Sequence, residues 1–159
     1  MKVLILGLGN THLSDDGVGV HIARRLKTLL GNSDISIEDS DLSGAGLLQI
    51  IGGYDCVFLI DAIETMDGVP GHIYRFNLSD EAVLQDPPPA AHVDFGEFSN
   101  GSTAHLLMPK DVILYAVETK DRVTFSKGCT PEVRESITRV TELVLDELQR
   151  ELFTGRRLQ

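Results

Sequence analysis

Val3-Leu4-Ile5-Leu6-Gly7-Leu8-Gly9-Asn10 opens the chain and decides how the rest of it is read. Val3 to Leu6 is a short, continuous apolar run closed by Gly7 and Gly9, the pattern of a strand buried on both faces. A strand of that kind belongs to a parallel sheet covered by helices on either side, so a helix should follow. After the loop Asn10 to Asp15, the apolar residues Val18, Val20, Ile22, Ala23, Leu26, Leu29 and Leu30 recur at helical spacing. Gly31-Asn32 stops that helix.

The same alternation of strand and helix continues outward. Ile35 to Glu38 alternates as a strand does, and Gly44 to Ile51 offers Leu47, Leu48 and Ile51 to a short helix closed by Gly52-Gly53. Cys56-Val57-Phe58-Leu59-Ile60 is the most hydrophobic strand and is expected at the sheet centre, ending at Asp61. Asp67 to Gly71 has turn chemistry, and His72 to Phe76 reads as a strand. A connection that short implies an antiparallel neighbour, because a parallel crossover needs a dozen or more residues. Asp86-Pro87-Pro88-Pro89-Ala90-Ala91 is a stiff linker that delivers His92. Phe95 to Met108 would make a poor helix, interrupted by Asn100-Gly101, and Val112 to Val117 reads as a strand.

Thr130-Pro131-Glu132 has the form of an N-cap, a first-turn proline and a first-turn acid. The helix it opens carries Val133, Ile137, Val140, Val144 and Leu148 on one stripe. Gly155 to Gln159 reads as a frayed tail. With no repeat and no second-domain boundary, residues 1–159 read as a single domain. The expected architecture is α/β: a three-layer α/β/α sandwich with a mostly parallel five-stranded sheet.

Composition narrows the function. The 159 residues are 42% hydrophobic and 24% charged, ordinary for a globular domain, with a net charge of −10. That balance argues against nucleic acid, which needs clustered Lys and Arg. Two cysteines, Cys56 and Cys129, make no disulfide framework and no CxxC pair. The opening apolar run is followed by an acidic turn rather than a cleavage site. No stretch reaches the roughly 20 apolar residues of a membrane helix. A cytoplasmic protein that binds no membrane is expected.

Gly7-Leu8-Gly9-Asn10-Thr11-His12 begins like a dinucleotide fingerprint, but His12 stands where the third glycine is needed. Asp15 and Asp16 in the first helical turn would repel a pyrophosphate. Ligands in open α/β sheets collect at the carboxyl ends of the strands. Asp16 follows the first strand and Asp61 ends the central one, so both should face one crevice, which His92 could approach from its loop. Two carboxylates and an imidazole suit a borderline divalent transition ion. Each has a plainer reading as well: helix capping for Asp15 and Asp16, a strand-end turn for Asp61, solvent exposure for His92. There is no Gly-x-Ser-x-Gly elbow, no HExxH helix and no histidine partner evident for Cys129. A hydrolase with this sequence would need a metal to activate water or polarise the carbonyl.

Leu4-Ile5-Leu6-Gly7-Leu8-Gly9-Asn10 followed by Asp15-Asp16-Gly17-Val18-Gly19-Val20 resembles the opening signature of the hydrogenase maturation endopeptidases. The similarity continues through Leu59-Ile60-Asp61-Ala62, Pro70-Gly71, Pro109-Lys110-Asp111 and Cys129-Thr130-Pro131-Glu132-Val133, in order along most of the chain. The resemblance implies removal of a C-terminal peptide from a nickel-iron hydrogenase large-subunit precursor after nickel insertion. It implies nickel carried by that precursor and met by Asp16, Asp61 and His92, with Asp16 and Asp61 as the catalytic carboxylates. It also implies a monomer.

His105 competes with His92 for the histidine position. The family's histidine stands about twenty residues before the next strand, room for one helix and its loops. His92 has that spacing from Val112, and His105 leaves no such room. The chain departs from the family where Ala90-Ala91 precede the histidine in place of Ser or Thr. Ser43-Gly44-Ala45-Gly46 is a loose version of the family's glycine-rich turn. A binding module of the same fold, recognising a metalloprotein precursor without cutting it, is the alternative.

Overall fold

The computed structural model describes residues 1–31, 33–41, 46–99 and 108–157. Strand β1 (Val3–Leu8) is buried at every position, as its unbroken apolar run requires. A single 3-10 turn (Ser14–Gly17) leads into α1 (Val18–Leu30). Then follow β2 (Ser36–Ser40), α2 (Leu47–Ile51), β3 (Cys56–Ile63), β4 (Ile73–Asn77), α3 (Glu81–Gln85), α4 (Gly96–Ser99), β5 (Asp111–Glu118) and α5 (Pro131–Arg157).

The described residues form a five-stranded sheet in the order β2-β1-β3-β5-β4. Strands β2, β1, β3 and β5 run parallel, and β4 is antiparallel to β5. Strand β3 lies at the centre, as its composition demands. The antiparallel direction of β4 was legible, but its partner is β5 rather than β3. The half-buried β4 takes the edge and leaves the almost wholly buried β5 to cover β3.

Alternation along the strands divides the interior in two. Val3, Ile5, Phe58, Ile60 and Tyr115 face α1 and α5, while Leu4, Leu6, Val57, Leu59 and Leu114 face α2 and α4. The result is the α/β/α sandwich with a mostly parallel sheet. Close approach of α1 depends on glycine. A Cβ on Gly19 would lie 2.1 Å from the Ile60 carbonyl oxygen, and one on Gly7 would lie 2.3 Å from that of Gly19.

Several boundaries differ from the sequence reading. Strand β3 runs two residues beyond Asp61, because Ala62 and Ile63 keep their register with Val117 and Glu118 of β5. Helix α5 continues through Gly155 to Arg157, where a frayed tail was expected. On α1, Leu29 is exposed and the stripe closes through Leu26 and Leu30 instead. Cys56 and Cys129 are free and buried. Burial pushes their thiols up, to about 12 and about 11. His105, most of the Phe95 to Met108 segment and Ser43 to Ala45 lie outside the described residues.

Candidate active site

The chain leaves β1, winds through the 3-10 turn, and returns on β2 to one side; β3 pairs on the other side of β1. A crevice opens where the direction of strand succession reverses, at the carboxyl ends of the parallel strands. Four carboxylates from those ends are buried: Asp15, Asp16, Asp61 and Glu118. Burial of that many carboxylates is costly unless each is hydrogen-bonded, and each is.

Asp61 is fully buried on the face of β3 that carries Val57 and Leu59. His92 reaches it because the proline linker is pinned to the end of β3. Ala90 forms an isolated bridge with Ile63, and the Ala91 N–H donates to the Ala62 carbonyl at 2.9 Å. That pinning brings the His92 N–H to Asp61 Oδ2 at 2.7 Å and the ring Nδ1 to Asp61 Oδ1 at 2.8 Å. The Ala62 N–H donates to the same Oδ1 at 2.8 Å. The other ring nitrogen, Nε2, lies 3.3 Å from Asp16 Oδ2.

Asp16 therefore stands across the imidazole from Asp61. Its Oδ2 also accepts the Asn10 N–H at 3.0 Å, and its Oδ1 accepts Nε of Arg122 at 3.0 Å. The Arg122 guanidinium extends on to Glu64, with Nη1 3.4 Å from Oε2. Burial works to raise the Asp16 carboxyl, but His92, Arg122 and Asn10 together hold it below the ordinary aspartate value. Complete burial pushes the Asp61 carboxyl up, against the bonds from His92 and Ala62. For His92, burial disfavours the charged ring; the two carboxylates overcome it and raise the imidazolium to about 9. Among the described residues, no three His, Cys, Asp or Glu side chains form a ready cage for an ion. His92 stands between the carboxylates rather than beside them, and it occupies both.

Asp16, Asp61 and His92, singled out from the sequence, thus lie in one hydrogen-bonded chain. Asp15 and Arg122 were not singled out for what they do here. Asp15 accepts the N–H groups of Lys120, Asp121 and Thr130 at 2.9, 3.0 and 2.7 Å, and the Thr130 hydroxyl at 2.9 Å. The hydroxyl expected to cap α5 is turned onto this carboxylate. Asp15 so fixes the loop between β5 and α5, and with it Arg122. Glu118 does the same for the loop after β3, accepting the Thr65 N–H at 2.9 Å, the Thr65 hydroxyl, and Tyr74 Oη at 3.0 Å. The rule that ligand loops follow parallel strands pointed to the segment after β5; no motif marked Arg122 within it.

No family model matches the chain. The Hydrogenase 2 maturation protease of Escherichia coli is 33% identical over 72 residues, which is 45% of this chain and 44% of that one. The match thus spans under half of either protein. The hydrogenase maturating endopeptidase HybD from E. coli superposes over 95% of this chain and 94% of its own, with a TM-score of 0.72 and 25% identity. The chain is similar in sequence and fold to hydrogenase maturation proteases. A nickel-iron hydrogenase maturation protease from Thermococcus kodakarensis shares the fold over 92% of this chain and 98% of its own, with a TM-score of 0.70 and 21% identity. Within the fold of these maturation proteases, Asp16, Asp61 and His92 occupy the crevice at the strand ends. No described helix is long and apolar enough to cross a membrane.

Proposed function

We propose that this protein is a cytoplasmic endopeptidase that removes the C-terminal peptide of a nickel-iron hydrogenase large-subunit precursor once nickel has been inserted. The observation that carries the reading is His92 held between Asp61 and Asp16 at the strand ends of a maturation-protease fold. The donor chemistry fits nickel as cargo of the substrate: carboxylate and imidazole suit a borderline divalent ion. The 3.3 Å between His92 Nε2 and Asp16 Oδ2 matches neighbouring ligands on an ion whose bonds are about 2.1 Å long.

In this reading the precursor's nickel enters between Asp16 and His92 as the imidazolium gives up its proton. Asp61 keeps the ring oriented through Nδ1, the arrangement that supports most metal-binding histidines. A direct bond from Asp61 to the ion requires His92 to release that Nδ1 bond. Nickel occupancy then determines whether the C-terminal segment is seated for cleavage. Cys129 is held in its neutral form, and the Thr65 hydroxyl is engaged by Glu118. Water is the attacking group, the precursor's nickel polarises the scissile carbonyl, Asp16 is the carboxylate that meets the water's proton, and Asp61 acts through the His92 ring it orients.

The test is incubation with a nickel-loaded large-subunit precursor, followed by intact mass. Loss of a C-terminal peptide that depends on nickel and vanishes in Asp61→Ala and Asp16→Ala supports the reading. Precursor that binds, carries nickel and is never cut would leave a recognition module of the same fold.

A further inference from the structure

The crevice already carries a fixed cation beside Asp16 before any ion arrives. Two carboxylates, Asp16 and Asp61, face the His92 ring, and Asp16 also faces the Arg122 guanidinium. Arg122 is unlike the other cations near the site. The Lys120 ammonium is tied to Glu132 at 2.8 Å. Arg122 alone among the described cationic chains of that loop reaches Asp16, through Nε on Oδ1, while Oδ2 faces His92. It is partly exposed and lines a cavity of about 560 Å³ with Glu64, Lys120, Asp121 and Val123, so it has somewhere to go. Glu64 Oε2, 3.4 Å from Nη1, is the acceptor waiting on that side.

A divalent ion bonding Asp16 would stand within a few ångströms of this guanidinium, which keeps its charge at any physiological pH. Like charges so close in a partly dehydrated crevice repel strongly. We propose that Arg122 is a selectivity residue: it holds Asp16 as an ion pair that keeps free divalent ions out of the crevice. It yields to Glu64 only when an ion arrives seated in a docked substrate. A free aqueous ion must displace the guanidinium with its own binding energy. An ion held in a protein substrate brings the contacts of the whole docked segment to that displacement. The device would confine response to nickel already inserted in its target. It rests on the reading of Asp16 as a residue that meets the ion.

The experiment uses the isolated full chain and nickel ion alone, with affinity read by competition against a chromogenic chelator. Arg122→Gln is expected to bind nickel at least about tenfold more tightly than the unsubstituted protein, a lower bound for removing one adjacent positive charge. The gain should vanish in the Arg122→Gln, Asp16→Asn double variant. Arg122→Lys, which keeps the charge, should bind as weakly as the parent, and Lys120→Gln should change nothing. Arg122→Met, which keeps the aliphatic stem, repeats the test if the glutamine variant melts early. Unchanged or weaker nickel binding in Arg122→Gln and Arg122→Met overturns the proposal, as does a gain that survives loss of Asp16. Because no precursor is present, an Asp16-dependent gain stands even if no precursor is ever cleaved. Conversely, cleavage by the parent protein without that gain would remove the role of Arg122 and leave the protease reading intact.

Discussion

His92 meets Asp61 twice, through its backbone N–H to Oδ2 at 2.7 Å and its ring Nδ1 to Oδ1 at 2.8 Å. One carboxylate therefore fixes both the loop and the direction of the ring. Asp61→Asn would turn an amide N–H₂ toward a donor at one of these positions. The expected cost is about 2–4 kcal/mol in urea unfolding, the range for a buried polar group stripped of its partner. Precursor cleavage should fall by about 10–100-fold or more from the loss of ring orientation. Native stability in this variant would show that the double contact is not formed in solution.

The pH dependence of stability follows from His92. Its folded-state value, about 9, lies above the ordinary 6.5. A raised histidine contributes stability that is fully present below the unfolded value and is lost as pH rises through the folded one. Unfolding free energy should therefore decline between pH 6.5 and about 9, and the decline should be absent in His92→Gln. Nickel affinity should move the opposite way and strengthen over that interval, because the ion competes with the proton. Urea titrations and chelator competition across this range check both signs.

Asp15 gathers three backbone N–H groups and a hydroxyl from the segment between β5 and α5. In Asp15→Asn one acceptor oxygen becomes a donor facing donors. A loss of roughly 2–4 kcal/mol is expected, with faster amide exchange at Lys120, Asp121 and Thr130. Thr130→Val removes only the hydroxyl bond and should cost about 1 kcal/mol. Equal effects of the two changes would mean that the backbone bonds carry little.

Gly19→Ala tests how α1 sits on the sheet. Its Cβ would fall 2.1 Å from the Ile60 carbonyl and 2.6 Å from that of Leu8, both rigid backbone. Overpacking of a core costs about 1–3 kcal/mol when side chains can yield. Here none of the nearest atoms can, so a loss at or above the upper end, or failure to fold, is expected. A melting temperature close to that of the parent would show that α1 can lift from β1 and β3.

Much of this was legible in the chain because local chemistry dictated it. Continuous apolar runs such as Val3 to Leu6 and Cys56 to Ile60 can be stable only as strands covered on both faces. The 3.6-residue stripe Val133, Val140, Val144 and Leu148 can be stable only as a helix lying on them. The ordered motifs around Asp16 and Asp61 pointed to the crevice. Strand ends were less clear, since the register with β5, and not the apolar run, carries β3 past Asp61.

By itself, then, the sequence determined the α/β class, the central place of β3 and the crevice that receives Asp16 and Asp61. These follow from hydrophobic periodicity and from where strand ends must lie. Only the tertiary structure decided that β5 separates β4 from β3, that His92 is held between two carboxylates, and that Asp15 anchors a loop while Arg122 neutralises Asp16. Those relations join residues as much as 115 positions apart. No local pattern encodes such pairings, because the energy that selects them comes from satisfying buried charges together once the chain has closed around them.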